Sequence, residues 1–188
     1  SASAAASDGY KGQGEAFLFL DGDCSLAKEN VLALLLEEYV KGYDVCFGQI
    51  HAPQDDFWAK YQNDVAAERA ARFRSGELSS MTTQIVMVEA AIFKKVGGFD
   101  ERYHFGFEDR DLFLSLINIG ANVSLVEKAV VNHNDQISVS SVMKKLYEAG
   151  KGPSMRFIEK HPGEYSKLAY AKADVRYSPC VLKSLVIL

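Results

Sequence analysis

The chain has little cysteine, and what it has is poorly placed for cross-linking. Cys24, Cys46 and Cys180 are odd in number and far apart, which fits neither a disulfide framework nor a CxxC metal pair. A reducing compartment is therefore expected, with the cytoplasm as the location. Cys24 reads as a small buried thiol rather than a reactive one. Long basic runs are missing too: acids and bases are interspersed and the formal net charge is −4. The multiple phosphate contacts of nucleic-acid binding are not on offer, and no nucleic-acid partner is expected. Ser1 to Ala6 lack the basic segment and long apolar run of a signal peptide, so no export is expected. Cys180 to Leu188 is apolar but too short to span a bilayer. It is expected to pack on the core, with peripheral attachment at the inner face of a membrane as the second expectation. There is no internal repeat, and no low-complexity tract beyond the Ala/Ser start.

What is present is the material of one domain: 188 residues, 48% of them apolar, enough for a sizeable core. The whole chain, 1–188, is expected to be a single domain with residues 138–188 as a helical extension. Ala16 to Leu20 is a continuous apolar run ending at Asp21, the pattern of a strand buried on both faces in a parallel sheet. Ser25 can cap a helix over Leu26 to Lys41, with Leu32, Leu35, Leu36 and Tyr39 at helical spacing and Gly42 as its stop. A strand follows over Asp44 to Ile50, where Gly48 marks a close backbone approach. Asp56 to Arg74 reads as a helix, Thr82 to Val88 as a strand and Glu89 to Val96 as a short helix before the turn Gly97-Gly98. Glu108 to Ile119 is a second strong helix, with Leu112, Phe113, Leu116 and Ile117 on one stripe. Asn122 to Val126 and Ala129 to Val131 are short strands. This alternation predicts an α/β domain with a mostly parallel central sheet flanked by helices, whose ligands bind outside the carboxyl ends of strands.

That rule singles out Asp21-Gly22-Asp23. Two carboxylates one residue apart can both face a ligand, because the glycine lets the backbone bend without an intervening side chain. A hard divalent ion, Mn²⁺ or Mg²⁺, binds through one or two carboxylates plus substrate phosphates and carries charge from a departing diphosphate. The bland alternative is an Asp-Gly-Asp turn. The segment Phe17 to Cys24 also resembles the haloacid-dehalogenase-like phosphatases, in which the first aspartate, here Asp21, is a nucleophile and the second, here Asp23, a general acid.

Gly97 to Leu112 is the more specific stretch. Its glycines permit a tight turn, its aromatics can wall a sugar-sized pocket, and Glu108 and Asp109 fall where a loop meets a helix N-terminus. A carboxylate there can take a proton from an attacking hydroxyl while its neighbour fixes the acceptor by hydrogen bonds. Acids in a first helical turn more commonly just complement the helix dipole. Three segments in order, Ala16 to Asp23, Val96 to Glu101 (Val-Gly-Gly-Phe-Asp-Glu) and Gly106 to Leu112 (Gly-x-Glu-Asp-x-Asp-Leu), resemble the family 2 glycosyltransferases of the GT-A fold. The phosphatases lack the second and third. The resemblance implies a GT-A-like, Rossmann-like fold and an inverting transfer of sugar from a nucleoside-diphosphate sugar to a hydroxyl of a glycan or lipid-linked acceptor. It implies Asp109 as general base, Glu108 as acceptor ligand, Asp23 as direct metal ligand, and Asp21 at the ribose or the metal.

By the same resemblance His133, just after a short strand, completes the metal site, although a lone histidine is more often structural. His104 could line the acceptor pocket. Trp58 could stack on a sugar, although core packing is its better prior. Lys144 to Arg156 is a candidate flap over the diphosphate. Ser1 to Gly14 resembles the helix before the family's metal-binding strand, so the resemblance covers nearly all these residues but only the latter, larger part of the family domain. The family's Pro-x-Tyr-Asn and Asp-Asp-Gly-Ser segments, which hold the nucleotide base, are not among them. An N-terminally incomplete catalytic domain is expected, and a non-catalytic carbohydrate- or nucleotide-binding fragment is the remaining alternative.

Overall fold

In the computed structural model, which describes residues 14–77, 80–135, 137–168, 171 and 174, the apolar run after Glu15 forms β1 (Ala16–Leu20). Then follow β2 (Cys24–Leu26), α1 (Val31–Val40), β3 (Val45–His51), α2 (Phe57–Arg74), β4 (Ile85–Glu89) and α3 (Ala90–Lys95). The chain continues through α4 (Glu108–Asn118), β5 (Val123–His133), α5 (Val139–Lys151) and α6 (Pro153–Lys160). The expected helix before Gly14 and the apolar end from Cys180 lie outside the described residues.

The five strands form one sheet in the order β1-β4-β3-β5-β2. The expectation of a mostly parallel sheet is corrected here. Only β3 and β5 run parallel; β1 with β4, β3 with β4, and β2 with β5 are antiparallel. Neither strand–helix alternation nor burial on both faces fixes strand direction. β4 is buried along Ile85 to Val88 yet antiparallel to both neighbours. β1, in turn, stands last in the sheet among the described residues, with Leu18 and Leu20 each more than two-fifths exposed. The alternation of its side chains still does its work: Phe17 and Phe19 point into the core against Phe93 and Phe99.

One face of the sheet is covered by α1, whose Val31 and Leu35 pack on Cys46, Ile85, Met87, Ala129 and Val131. The other is covered by α3 and α4 through Phe93, Leu112, Phe113 and Leu116 on Val45, Phe47, Val86 and Val88. The stripe expected for α4 is thus the one it buries. That of α1 is rotated: Val31 and Leu35 are buried while Leu32 and Leu36 are largely exposed. Ser25 does not cap α1. Cys24, Ser25 and Leu26 pair with His133, Asn132 and Val131 of β5, so this stretch extends as β2 and the helix begins at Val31. The two short strands expected after Gly120 are one strand, β5, in register with β3 except for a shift between Phe47 and Gln49.

At that shift Gly48 leaves no room for a side chain: a Cβ there would lie 2.1 Å from the Ala129 carbonyl oxygen and 2.7 Å from Ile85 Cγ2. Because the obstacle is backbone in the central strand pair, Gly48→Ala is expected to destabilise by about 3 kcal/mol, the upper end of ordinary overpacking. Urea denaturation would show this as a lowered midpoint.

A third cluster joins the C-terminal helices to the loop before α4, with Phe157, Tyr165 and Leu168 packed on Tyr103 and Phe107. α5 has no buried residue and exposes Val139, Met143 and Tyr147. Among the described residues no helix is long and apolar enough to cross a membrane.

Candidate active site

β1 ends at Asp21, whose amide still bonds to the Gln84 carbonyl at 3.1 Å. The chain then turns tightly, the Cys24 amide donating to the Asp21 carbonyl and the Gly22 amide to Asp21 Oδ1. This turn delivers Asp23 and Cys24 to the end of β5. There the Asn134 amide donates to the Asp23 carbonyl, and His133 Nε2 lies 3.3 Å from Asp23 Oδ2.

His133 is held from behind. Its Nδ1 is 3.0 Å from Oε1 of Gln62 on α2, and a carbonyl oxygen accepts, so Nδ1 carries the proton. The lone pair of Nε2 then faces a carboxylate oxygen, two acceptors that need a cation or a second proton between them. A ring N–H donated to a fixed oxygen, leaving the other nitrogen free to bind an ion, is the support that metal-binding histidines use. The residues present therefore fit a divalent ion. Cys24 completes a three-residue group: one ligand atom each from Asp23, Cys24 and His133 lies within 4.8 Å of the others. Burial, then the charges of Asp23 and Asp21, push the Cys24 thiol up to about 12.

The second corner is the start of α4. Phe107, immediately before it, adopts a left-handed conformation with φ 72°, a strained choice for a bulky residue that costs about 1–3 kcal/mol. Its ring is locked against Phe157 and Tyr165 at centroid distances of 5.0 and 6.0 Å, which holds the turn in place. No side chain caps α4. Asp109 Oδ1 accepts from the Arg110 amide at 2.7 Å.

Glu108 is the perturbed group here. Burial first, then the charge of Asp109, raise its carboxyl above the ordinary range against the lowering pull of the Glu108 and Gly106 backbone amides, and Asp21 adds to the effect. Its Oε2 is buried without a hydrogen-bond partner. The charge of Asp21 helps raise both the Cys24 thiol and the Glu108 carboxyl. Of the expected residues, Asp23 and His133 are brought into direct contact.

The other expected residues are distributed as follows. Trp58 is half-buried and packs edge-on against Phe57 and Tyr61, one helical turn before Gln62 and on the same side of α2. His104 is exposed in the loop before α4. Arg156, expected in a flap, is not available for one. It bonds Asp100 Oδ2 at 2.6 Å and lies 5.6 Å from the Tyr103 ring.

Sequence reasoning missed three things. Gln62 has no local signal, since its partner is 71 residues away. Cys24, expected as a small buried thiol, is half-buried, and its nearness to His133 comes from a strand pairing 109 residues apart in sequence. The third is a buried charge cluster. Asp111 accepts from Lys160 at 2.7 Å, His161 at 2.8 Å and Tyr103 at 3.3 Å, while Asp100 accepts from Arg102 and Arg156. Two acids of the most telling motifs thus clamp α6 to the loop and α4.

The sequence model of the family described as the N-terminal domain of galactosyltransferase matches residues 66–136, a stretch that includes Glu108, Asp109 and His133. No curated protein matches the chain. Among solved structures, the chain is similar to the mannosyltransferase PcManGT from Pyrobaculum calidifontis, in complex with GDP-Man and Mn²⁺. The TM-score is 0.59 at 11% identity, over 94% of this chain and 55% of that one. This chain therefore spans about half the length of that protein. At such identity the likeness establishes the fold, which is GT-A-like.

Proposed function

We propose that the chain is the metal-dependent catalytic part of an inverting glycosyltransferase of the family 2 type. It would move a sugar from a nucleoside-diphosphate sugar to a hydroxyl of a glycan or lipid-linked acceptor. The observation that carries the reading is the Asp23–His133 pair with its Gln62 support, set in a GT-A-like fold that also carries a buried, unpartnered Glu108 oxygen. The fold favours this over the phosphatase reading, and a mannosyltransferase of similar fold was solved with GDP-Man and Mn²⁺.

Asp23 and His133 would hold the ion, with Asp21 beside it at the ribose or diphosphate. A divalent cation there supplies positive charge to the departing diphosphate. The chain's own residues do the rest. Glu108 accepts a hydrogen bond from the acceptor hydroxyl and fixes its direction. Asp109 takes that proton as the oxygen bonds to the anomeric carbon and the sugar–phosphate bond breaks, its electron pair leaving with the diphosphate. Trp58 and His104 line the acceptor side. A second reading exchanges the two acids: the raised carboxyl and unmet Oε2 of Glu108 favour it as the proton acceptor.

The donor base is assigned to a further part of the domain, a reading supported by the similar structure, of which this chain covers 55%. A cytoplasmic site at the inner face of a membrane would suit a lipid-linked acceptor.

Calorimetry with Mn²⁺ and a panel of nucleotide sugars tests the reading. Mn²⁺-dependent binding of a nucleotide sugar is expected, and Gln62→Leu should weaken Mn²⁺ about 10- to 100-fold by freeing the imidazole. Equal Mn²⁺ affinity in that variant, or nucleotide binding indifferent to metal, would sink it.

A further inference from the structure

We propose that Cys24 is itself a metal ligand, forming with Asp23 and His133 a mixed nitrogen–sulfur–oxygen site that selects borderline ions such as Zn²⁺ or Co²⁺ over Mg²⁺. The proposal rests on the reading of Asp23 and His133 as a metal pair and adds to it the third protein ligand and the class of ion.

The geometry comes from strand pairing. β2 and β5 are antiparallel with Cys24 directly opposite His133, and directly opposed residues of such a pair project their side chains to the same face about 5 Å apart. Asp23 precedes Cys24 in the turn, and its Oδ1 lies 3.6 Å from the sulfur. The three ligand atoms are mutually within 4.8 Å, a triangle that an ion can sit over after small side-chain adjustments. Its walls are unequal. The His133 side chain is 11% exposed and Asp23 46%, so the site is backed by α2 and open on the carboxylate side. Three protein ligands with an open fourth position are the arrangement of catalytic zinc centres. Asp21 is not in the group.

Ligand softness sets the choice of ion. Carboxylate and phosphate oxygens suit Mg²⁺ and Mn²⁺, whereas imidazole and thiolate shift preference toward Co²⁺ and Zn²⁺. On binding, a sulfur lone pair forms the metal bond and the thiol proton leaves to solvent, so uptake of the ion releases a proton.

Cobalt titration of the whole chain tests this, because sulfur ligation adds a near-ultraviolet charge-transfer band to the visible bands of bound Co²⁺. The wild type is expected to show both. Cys24→Ser should keep the visible bands, lose the charge-transfer band and bind roughly tenfold more weakly, while excess Mg²⁺ should fail to displace Co²⁺ from the wild type. Visible bands that vanish in His133→Ala, without any charge-transfer band in the wild type, would overturn Cys24 as ligand and leave the metal pair standing. A charge-transfer band that persists in Cys24→Ser overturns it as well. No cobalt spectrum at all would remove both readings. If Cys24→Ser does not fold, alkylation of the wild type decides: protection of Cys24 by Co²⁺, read by peptide mass spectrometry, supports the ligand, and unchanged labelling overturns it.

Discussion

Asp109→Asn is expected to lower turnover about 10²- to 10⁴-fold, the range that a positioned general base contributes, with metal and nucleotide-sugar affinity nearly unchanged. Asn matches the carboxylate in shape and can still accept the Arg110 amide, as Asp109 Oδ1 does at 2.7 Å, so the start of α4 should survive. What it loses is a site for the hydroxyl proton. Initial rates of sugar transfer and of donor hydrolysis, measured beside calorimetry, separate chemistry from binding. Glu108→Gln belongs in the same experiment. If Asp109 is the base, Glu108→Gln should chiefly raise the acceptor KM. Wild-type-like turnover in Asp109→Asn together with a collapse in Glu108→Gln would move the base to Glu108, the acid whose carboxyl is raised and whose Oε2 is unpartnered.

The second large effect is on stability. Asp111→Ala should cost about 3 kcal/mol, since removing one member of a buried ion pair strands its partners. The Asp111 side chain is 2% exposed and gathers Lys160, His161 and Tyr103. Lys160 is 38% exposed and can recover part of its hydration, which places the cost at the low end of the 3–5 kcal/mol typical of such losses. Denaturant melts would read it directly, and a loss under about 1 kcal/mol would mean the cluster contributes no more than a surface ion pair.

The neighbouring Asp100 makes the same cluster sensitive to acid. Burial alone would raise its carboxyl, but hydrogen bonds from the Arg102 and Arg156 side chains and the Arg102 amide outweigh burial and hold it far below the usual range. A folded-state value below the unfolded one stabilises above the unfolded pKa and is lost as pH falls toward the folded one. The stabilisation is therefore complete above about pH 5 and declines below about pH 4. The stability difference between wild type and Asp100→Asn should shrink over that acid range.

The ends of the elements around the candidate site were legible because their signals are local. β1 stops at the expected Leu20, α2 begins after Asp56, whose side chain caps it by accepting from the Ala59 amide, and α4 starts at Glu108. Acids in a first turn and an apolar run ended by Asp21 need no knowledge of distant residues. What stayed hidden depends on pairing across the chain. β2 is three residues long and exists only through its ladder with β5, so the capping signal at Ser25 gave way to tertiary hydrogen bonds. Strand direction was hidden for the same reason, since a buried strand such as β4 has the same composition whichever way its neighbours run. The roles of Asp100 and Asp111 could not be separated from those of Glu108 and Asp109 within one acidic motif. Their partners Arg156, Lys160 and His161 come from α6 and the residue that ends it, some fifty residues on.

The exposed leucines of β1 also bear on how the chain behaves in bulk. Leu18 and Leu20 each stand more than two-fifths exposed, and no charged side chain within Ala16 to Leu20 separates them. At high concentration such an apolar strip is where copies of the chain would meet. Solubility is then set in part by two side chains on the face of β1 turned away from the core.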